Sequence, residues 1–406
     1  MKKIIKDIYL DSAANTPVDK EVFSAMRPYM TGGFVGNSHS IHKRGVAASQ
    51  VVENARQSMA VCLGVQPGEI FFTSGATEAN NWVIKALALR ELSLPENKRK
   101  NHILCSTVEH SSVLNTCKSL QNLGFNVEFF NCDSAGKLTV KNIRGKVTPK
   151  TLLVCALAVN NETGVVNDIE DIAHYVYKTN KETRVLCDST QLIPLGRKGI
   201  KKSFDLARLY PHVDFFTFSA HKIYGPEGVG CLVARSDTKL PALLNGGAQE
   251  QGKRGGTHNL PGIVGMAKAL QLVVNNSLSE HYYSLYNYAY MCIMELNEKY
   301  GLSIKINGKP SSYHIMNINC SSIGTFADLS STLASRGIDC SPGAACGEEE
   351  TDDEIPASHV LLAMGLSKEE AHASVRISFS KYNTTQDIKT LFKILENIIK
   401  ERKKND

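Results

Sequence analysis

"VDFFTFSAHKIYGPEGVGCLVA", Val213 to Ala234, places two apolar runs rich in aromatic and β-branched residues on either side of a polar turn that carries His221 and Lys222. Runs of this kind, short and without helical period, suit strands covered on both faces. The same grammar continues outward. "EIFF", "HILC", "VEFF", "TLLVCALA" and "RVLC" precede it, all between residues 50 and 235. They alternate with segments of helical spacing, among them "EANNWVIKALALRELS" and "ASQVVENARQSMAVCL", in which Val51, Ala55 and Met59 are expected to share one face. The alternation predicts an α/β fold, a mainly parallel sheet covered by helices.

A looser stretch, "QEQGKRGGTHNLPG", leads into sequence with helical patterns and fewer strands, so a soft boundary is expected near residue 262. The last segment, from Thr384, has Thr384 and Asp387 in capping-box spacing. Apolar residues then recur at Ile388, Leu391, Phe392, Leu395 and Ile399, which predicts an amphipathic helix.

With 406 residues, 42% hydrophobic and 21% charged, the chain can bury a large domain plus a smaller one, or two comparable ones. The net charge of +6 is spread along the chain apart from the tail "KERKKND", so neither nucleic acid nor a membrane surface is implied as a partner. Eleven cysteines, with no C-x-x-C pair and several inside apolar runs, read as buried thiols in a reduced compartment, with no metal site. The N-terminus "MKKIIKDIYLD" lacks the apolar segment of a secretory signal, and no stretch reaches the ~18 apolar residues of a membrane span. A cytoplasmic location is the expectation.

In open α/β sheets ligands bind at the carboxyl ends of the strands. Here those ends are polar: "TSGATEANN" follows "EIFF", "STVEH" follows "HILC", "VNNETG" follows "TLLVCALA", "DSTQ" follows "RVLC" and "SAHK" follows "VDFFTF". His110, Asn161, Asp188, Gln191, Ser219, His221 and Lys222 should therefore gather at one edge. Taken singly, a Ser or Asn often caps a helix and a lone His or Lys is often solvated; together, over a dry sheet, they describe a polar pocket. "TSGATEANN" adds a helix start able to bind phosphate, although the same spacing describes plain capping. A lysine after a strand, an aspartate able to pair a pyridinium nitrogen and a histidine able to stack on a ring fit pyridoxal 5'-phosphate.

The blocks "YLDSAANTPVD", "GNSHSIHKRG", "EIFFTSGATEANN", "TVEHSSVL", "VNNETGVV", "CDSTQ", "SAHKIYGPEGVG", "GGAQEQGKRGGT", "GAAC" and "SVRISFS", in that order, resemble the class V aminotransferase family and, within it, the cysteine desulfurases and selenocysteine lyases. The resemblance implies a fold-type I pyridoxal-phosphate enzyme. A large cofactor domain would span residues 15–262, and a smaller α+β domain residues 1–14 and 263–406. It makes Lys222 the Schiff-base lysine, Asp188 the pyridinium partner and His110 the ring-stacking acid/base. Asn161 and Gln191 would orient the cofactor, and Ala76, Thr77, Ser219 and His221 would hold its phosphate. Thr257 would reach the phosphate of a second subunit, which implies a homodimer with shared sites. Arg376 would grip the substrate carboxylate with Asn37 nearby, and Cys346 would take the substrate sulfur as a persulfide and pass it to a protein acceptor.

The substrate stays open between L-cysteine and L-selenocysteine, because "PGAAC" lies nearer to the lyases than to the desulfurases. Transamination or another β-elimination needs no Cys346, and an inactive dimeric scaffold of a sulfur-transfer assembly would need none of these residues. Ser38 stands where the family usually has proline. Cys346 is followed by six acids, Glu348 to Glu354, outside either family pattern. They are expected to keep a loop at about 340–357 solvated and mobile and to attract a basic acceptor, with the thiol meeting its chemistry away from them.

Overall fold

The computed structural model describes residues 7–31, 36–196, 206, 210–324, 329–342 and 357–404; Cys346 and the acidic run lie outside them. After a two-residue strand β1 (Ile8–Tyr9), the apolar runs form β2 (Ile70–Thr73), β3 (His102–Ser106), β4 (Asn126–Phe130), β5 (Thr151–Cys155), β6 (Arg184–Asp188), β7 (Phe215–Ser219) and β8 (Gly230–Ala234). These seven make one sheet in the order β2-β8-β7-β6-β5-β3-β4. All its pairings are parallel except those of β8, which runs against both β2 and β7. An apolar run carries no direction, so this reversal is visible only once the strands are paired.

The pleat sends alternate residues to opposite faces. Phe72, Leu104, Val154, Cys187, Phe216 and Val233 enter one apolar core, while Phe71, Ile103, Leu153, Leu186, Phe215 and Leu232 enter a second on the other face. Because both faces are covered, the strands read as continuous apolar runs rather than alternating ones. Helix α1 (Lys20–Met26) precedes α2 (Lys43–Leu63), whose buried stripe is Ala48, Val52, Ala55, Met59 and Leu63; Val51, expected on that stripe, is only partly buried. Helices α3 (Ala76–Leu92) and α4 (Ser111–Gln121) cover the opposite face with Trp82, Leu87, Leu114 and Cys117.

Beyond β8, helices α5 (Leu260–Asn275), α6 (Ser279–Tyr300) and α7 (Thr385–Arg402) follow; α5 packs against α1 and α2. A four-stranded sheet, in the order β12-β13-β10-β9, joins β9 (Lys305–Ile306), β10 (Ile315–Asn319), β12 (Ser341–Pro342) and β13 (Ser374–Ser378), while β11 (Ile338–Asp339) pairs with β1. A third core lies between this sheet and α6 and α7. It contains all five apolar positions read from α7: Ile388, Leu391, Phe392, Leu395 and Ile399. Thr384 and Asp387 close the reciprocal cap of α7. Among the described residues no helix is long and apolar enough to cross a membrane.

Since β2 and β7 both oppose β8, they run in the same direction, and the carboxyl ends of β2, β3, β5, β6 and β7 share one edge. Gly230 begins β8 at that edge, where a Cβ would lie 2.5 Å from the Cα of Gly75. A side chain there would push the start of α3 off the sheet. Gly230→Ala is expected to cost about 1–3 kcal/mol through overpacking, measured by urea unfolding, and to weaken cofactor retention because the start of α3 moves.

Candidate active site

The five aligned strand ends open into a cavity of about 410 Å³. Its wall includes Ala76, Thr77, His110, Asn161, Asp188, Gln191, Ser219, His221, Lys222 and Arg376, so ten of the sequence-derived candidates meet in one place. Asn37 and Thr257 do not line it and are exposed. Their segments are instead tied to each other: Ser38 Oγ lies 2.8 Å from His258 Nδ1, and His258 Nε2 lies 2.8 Å from Glu250 Oε1. Arg56 grips the buried Glu250 carboxylate from the other side, and together with His258 it holds that carboxyl down near a pKa of about 2 against the effect of burial. The unusual Ser38 thus has a partner.

At the end of β7, Ser219 Oγ accepts the N–H of Ala76 at 2.7 Å, docking the first turn of α3 on the strand. The next N–H groups of that helix, before that of Ala79, have no intrahelical acceptor, and Thr77 among them lines the cavity. Three residues after Ser219, Lys222 Nζ donates to the carbonyl of Ala13 at 2.7 Å and also to that of Ala14. Burial, and next the Arg376 cation, push the Lys222 ammonium down to about 8. His221 is pushed down to about 4, by burial and then by Lys222, so its ring is neutral near pH 7.

At the end of β6, Asp188 Oδ2 accepts from Asn80 Nδ2 at 2.9 Å and Oδ1 accepts the N–H of Thr190 at 3.0 Å. Asn80 is fully buried and also accepts from Thr217 Oγ1 at 2.7 Å, so the carboxylate is held on a rigid polar floor. Gln191 donates from Nε2 to the Ala13 carbonyl at 3.0 Å and accepts on Oε1 from His314 Nε2 at 3.1 Å. At the end of β3, His110 caps α4: its Nδ1 accepts the N–H of Ser112 at 3.1 Å, which leaves the ring proton on Nε2. Burial lowers its pKa.

Several residues of the site were not singled out from sequence. Glu109 is fully buried; its Oε1 accepts from Ser106 Oγ and from the N–H of Leu157, both at 2.7 Å, joining the ends of β3 and β5 beneath His110. Its backbone carbonyl accepts from His359 Nε2 at 3.0 Å. Glu162 accepts from Ser358 Oγ, which anchors the chain where it returns to the cavity. Asp11 Oδ1 pairs with Arg376 Nη2 at 2.7 Å. Adjacency was the local signal for two of them, Glu109 in "STVEH" and Glu162 in "VNNETG"; Asp11, Ser358 and His359 are brought in from distant segments.

An amine partly relieved of its proton, an anchored carboxylate, a neutral imidazole and a helix start beside Ser219 form the donor set that pyridoxal phosphate requires. Thr190 Oγ1 is buried without a partner among the described residues, as expected of a wall built for a ligand. Residues 8–391 match the aminotransferase class-V family. The chain belongs to that family.

Members of the aminotransferase class-V family resemble it over nearly its whole length. A cysteine desulfurase IscS of Clostridium botulinum is 35% identical over 402 residues, covering 98% of this chain and 96% of that protein. A cysteine desulfurase IscS of Methanosarcina thermophila is 33% identical, covering 98% and 93%. Among solved structures, a NifS-like protein superposes with a TM-score of 0.84 at 34% identity, covering 97% and 99%. SspA in complex with cysteine superposes at 0.75 with 30% identity, covering 93% and 100%. These relatives agree with the fold-type I architecture, and pyridoxal phosphate is the cofactor of the family.

Two pH effects follow. Cofactor-free protein should take up pyridoxal phosphate faster as pH rises, with a midpoint near about 8 rather than at the ordinary lysine value of 10.5, followed by visible absorbance. Burial raises the Glu109 carboxyl from 4.5 to about 8, so between those values the folded state holds a proton that the unfolded chain has lost. Stability then falls as pH rises through that window. Glu109→Gln is expected to flatten the fall, read as melting temperature against pH.

Proposed function

We propose that this chain is a pyridoxal-phosphate-dependent cysteine desulfurase, releasing L-alanine from L-cysteine and leaving the sulfur as a persulfide on Cys346. The convergence of Lys222, Asp188, His110 and Arg376 on one cavity carries the reading. When bound, the cofactor supplies an electron sink for the substrate Cα. Lys222, with its lowered proton affinity, holds the cofactor and moves the proton at Cα. Asp188, fixed by Asn80 and Thr190, keeps a negative charge where the pyridine nitrogen would sit. His110, neutral with its proton on Nε2, stacks on the ring and exchanges protons with the reacting groups.

The phosphate is assigned to the first turn of α3, through Ala76 and Thr77, with Ser219 and His221 beside it; Asn161 and Gln191 orient the ring. Arg376 binds the substrate carboxylate, and its buried Nε has no partner among the described residues. In the transfer, the Cys346 sulfur forms an S–S bond as the substrate Cβ–S bond breaks, and the electron pair of that bond stays on Cβ, which takes up a proton. Substrate and products balance without an external oxidant or reductant.

The working form is assigned as a homodimer in which Thr257, exposed and away from its own cavity, reaches the phosphate of the second copy, with Asn37 near the substrate. The persulfide passes to a protein acceptor in the cytoplasm, toward iron–sulfur cluster assembly or tRNA thiolation. The acids from Glu348 to Glu354 favour a basic acceptor.

The test is alanine release by purified protein from L-cysteine and from L-selenocysteine. The desulfurase reading expects release from L-cysteine that falls to background in Cys346→Ala, with the cofactor absorbance retained. Release from L-selenocysteine alone would make the chain a lyase. Arg376→Lys loses the planar fork and is expected to raise KM for L-cysteine about tenfold, equivalent to about 1.4 kcal/mol.

A further inference from the structure

Arg376 has five N–H hydrogens, one on Nε and two on each terminal nitrogen. Both hydrogens of Nη2 are committed: it donates to Asp11 Oδ1 at 2.7 Å and to Ser341 Oγ at 2.7 Å. Nη1 gives one hydrogen to the carbonyl of Asn161 at 3.0 Å. Nε is buried and has no partner among the described residues. A carboxylate held by two parallel hydrogen bonds uses either Nε with Nη2 or Nη1 with Nη2. Both forks include Nη2. As Arg376 is held, a substrate carboxylate cannot be gripped by two bonds until one partner leaves that nitrogen.

Asp11 is the partner that can leave. Ser341 lies on β12 directly opposite Arg376 on β13, so the ladder keeps its hydroxyl in place. Asp11 sits beyond the end of β1, and its side chain lines the cavity. Its Oδ1 also accepts from Ser341 Oγ at 2.8 Å, so a carboxylate that swings off Nη2 keeps one donor.

We propose that Asp11 is a resident counter-carboxylate: at rest it occupies the Nη2 position that the substrate carboxylate takes, and it thereby selects amino acids over simple carboxylates. This rests on the reading of the substrate as an α-amino acid. An entering carboxylate must displace Asp11, which then remains in the cavity as an uncompensated negative charge. A ligand that also carries an α-ammonium offsets that charge; one without it does not. Asp11 is therefore a specificity-determining residue that acts through Arg376.

The test compares wild type with Asp11→Asn as the cofactor-loaded enzyme, using propionate, which has the carboxylate and no amine. The neutral amide yields Nη2 more readily than a charge-assisted partner, so propionate should bind about fivefold more tightly. KM for L-cysteine should improve less, so that the preference for cysteine over propionate shrinks. Asp11→Ser, whose hydroxyl is likewise uncharged, is the second variant and should shift propionate in the same direction. Unchanged or weaker propionate binding in Asp11→Asn, or in Asp11→Ser if the first variant does not fold, overturns the proposal. Propionate affinity is read by calorimetry as well as by inhibition. Absence of alanine release by wild type therefore counts against the desulfurase reading alone, and the propionate shift still decides the role of Asp11.

Discussion

The carbonyl groups of Ala13 and Ala14 are the fixed point of the molecule. An ammonium taken out of water needs full hydrogen bonding or it loses its proton, and Lys222 finds its partners in this short N-terminal strap. The strap is held from the other side as well: the N–H of Ala13 donates to Ser378 Oγ at 2.9 Å, and Gln191 donates to the same Ala13 carbonyl that takes Lys222. Asp11, two residues earlier, bridges to Ser378 and pairs with Arg376. One stretch of four residues thus joins the end of β7, the end of β6 and the edge of the second sheet. Without it the lysine and the arginine would have no common frame.

Burial sets the charge state of that frame. It moves His110 and His221 toward neutral rings, Glu109 toward a protonated acid and Lys222 toward a free amine. Asp188 is buried as well, and a side-chain amide and a backbone N–H donate to its two oxygens. The chemistry asked of the site needs this division: an amine that can give up its proton beside an anion held by donors. Arg56 and Glu250 show the other solution to burial, a pair that keeps both charges by hydrogen bonding to each other and to the backbone of Ile70 and Phe72. That pair, with His258, steadies the segments of Asn37 and Thr257.

Much of the fold could be read from residue patterns. The strands were legible because β2, β3, β5, β7 and β8 are buried on both faces and so are mainly apolar. Helix α7 was legible from its cap and period. The stripe on α2 was less so, since Val51 and Val52 are neighbours and only the packed structure shows that Val52 is the one fully buried. The cluster at the cavity was legible for a related reason: polar residues directly after apolar strands have one edge to go to. Asp11, Glu109, Ser341 and His359 were not, because each acts through a partner far away in the chain or in a role that its residue type does not announce.

By itself the sequence determined the class of fold, the sheet's strands and the chemical inventory of the site, since burial on two faces dictates composition and strand ends dictate where polar groups collect. Only the tertiary structure decided the direction of β8, because hydrophobicity has no polarity along the chain. It alone also decided that Arg376 meets a carboxylate of its own protein, since a guanidinium's hydrogens are allotted by whatever the fold brings within reach. The same holds for Lys222: the sequence supplied the amine, and the distant carbonyls of Ala13 and Ala14, together with the loss of water around it, set its readiness to react.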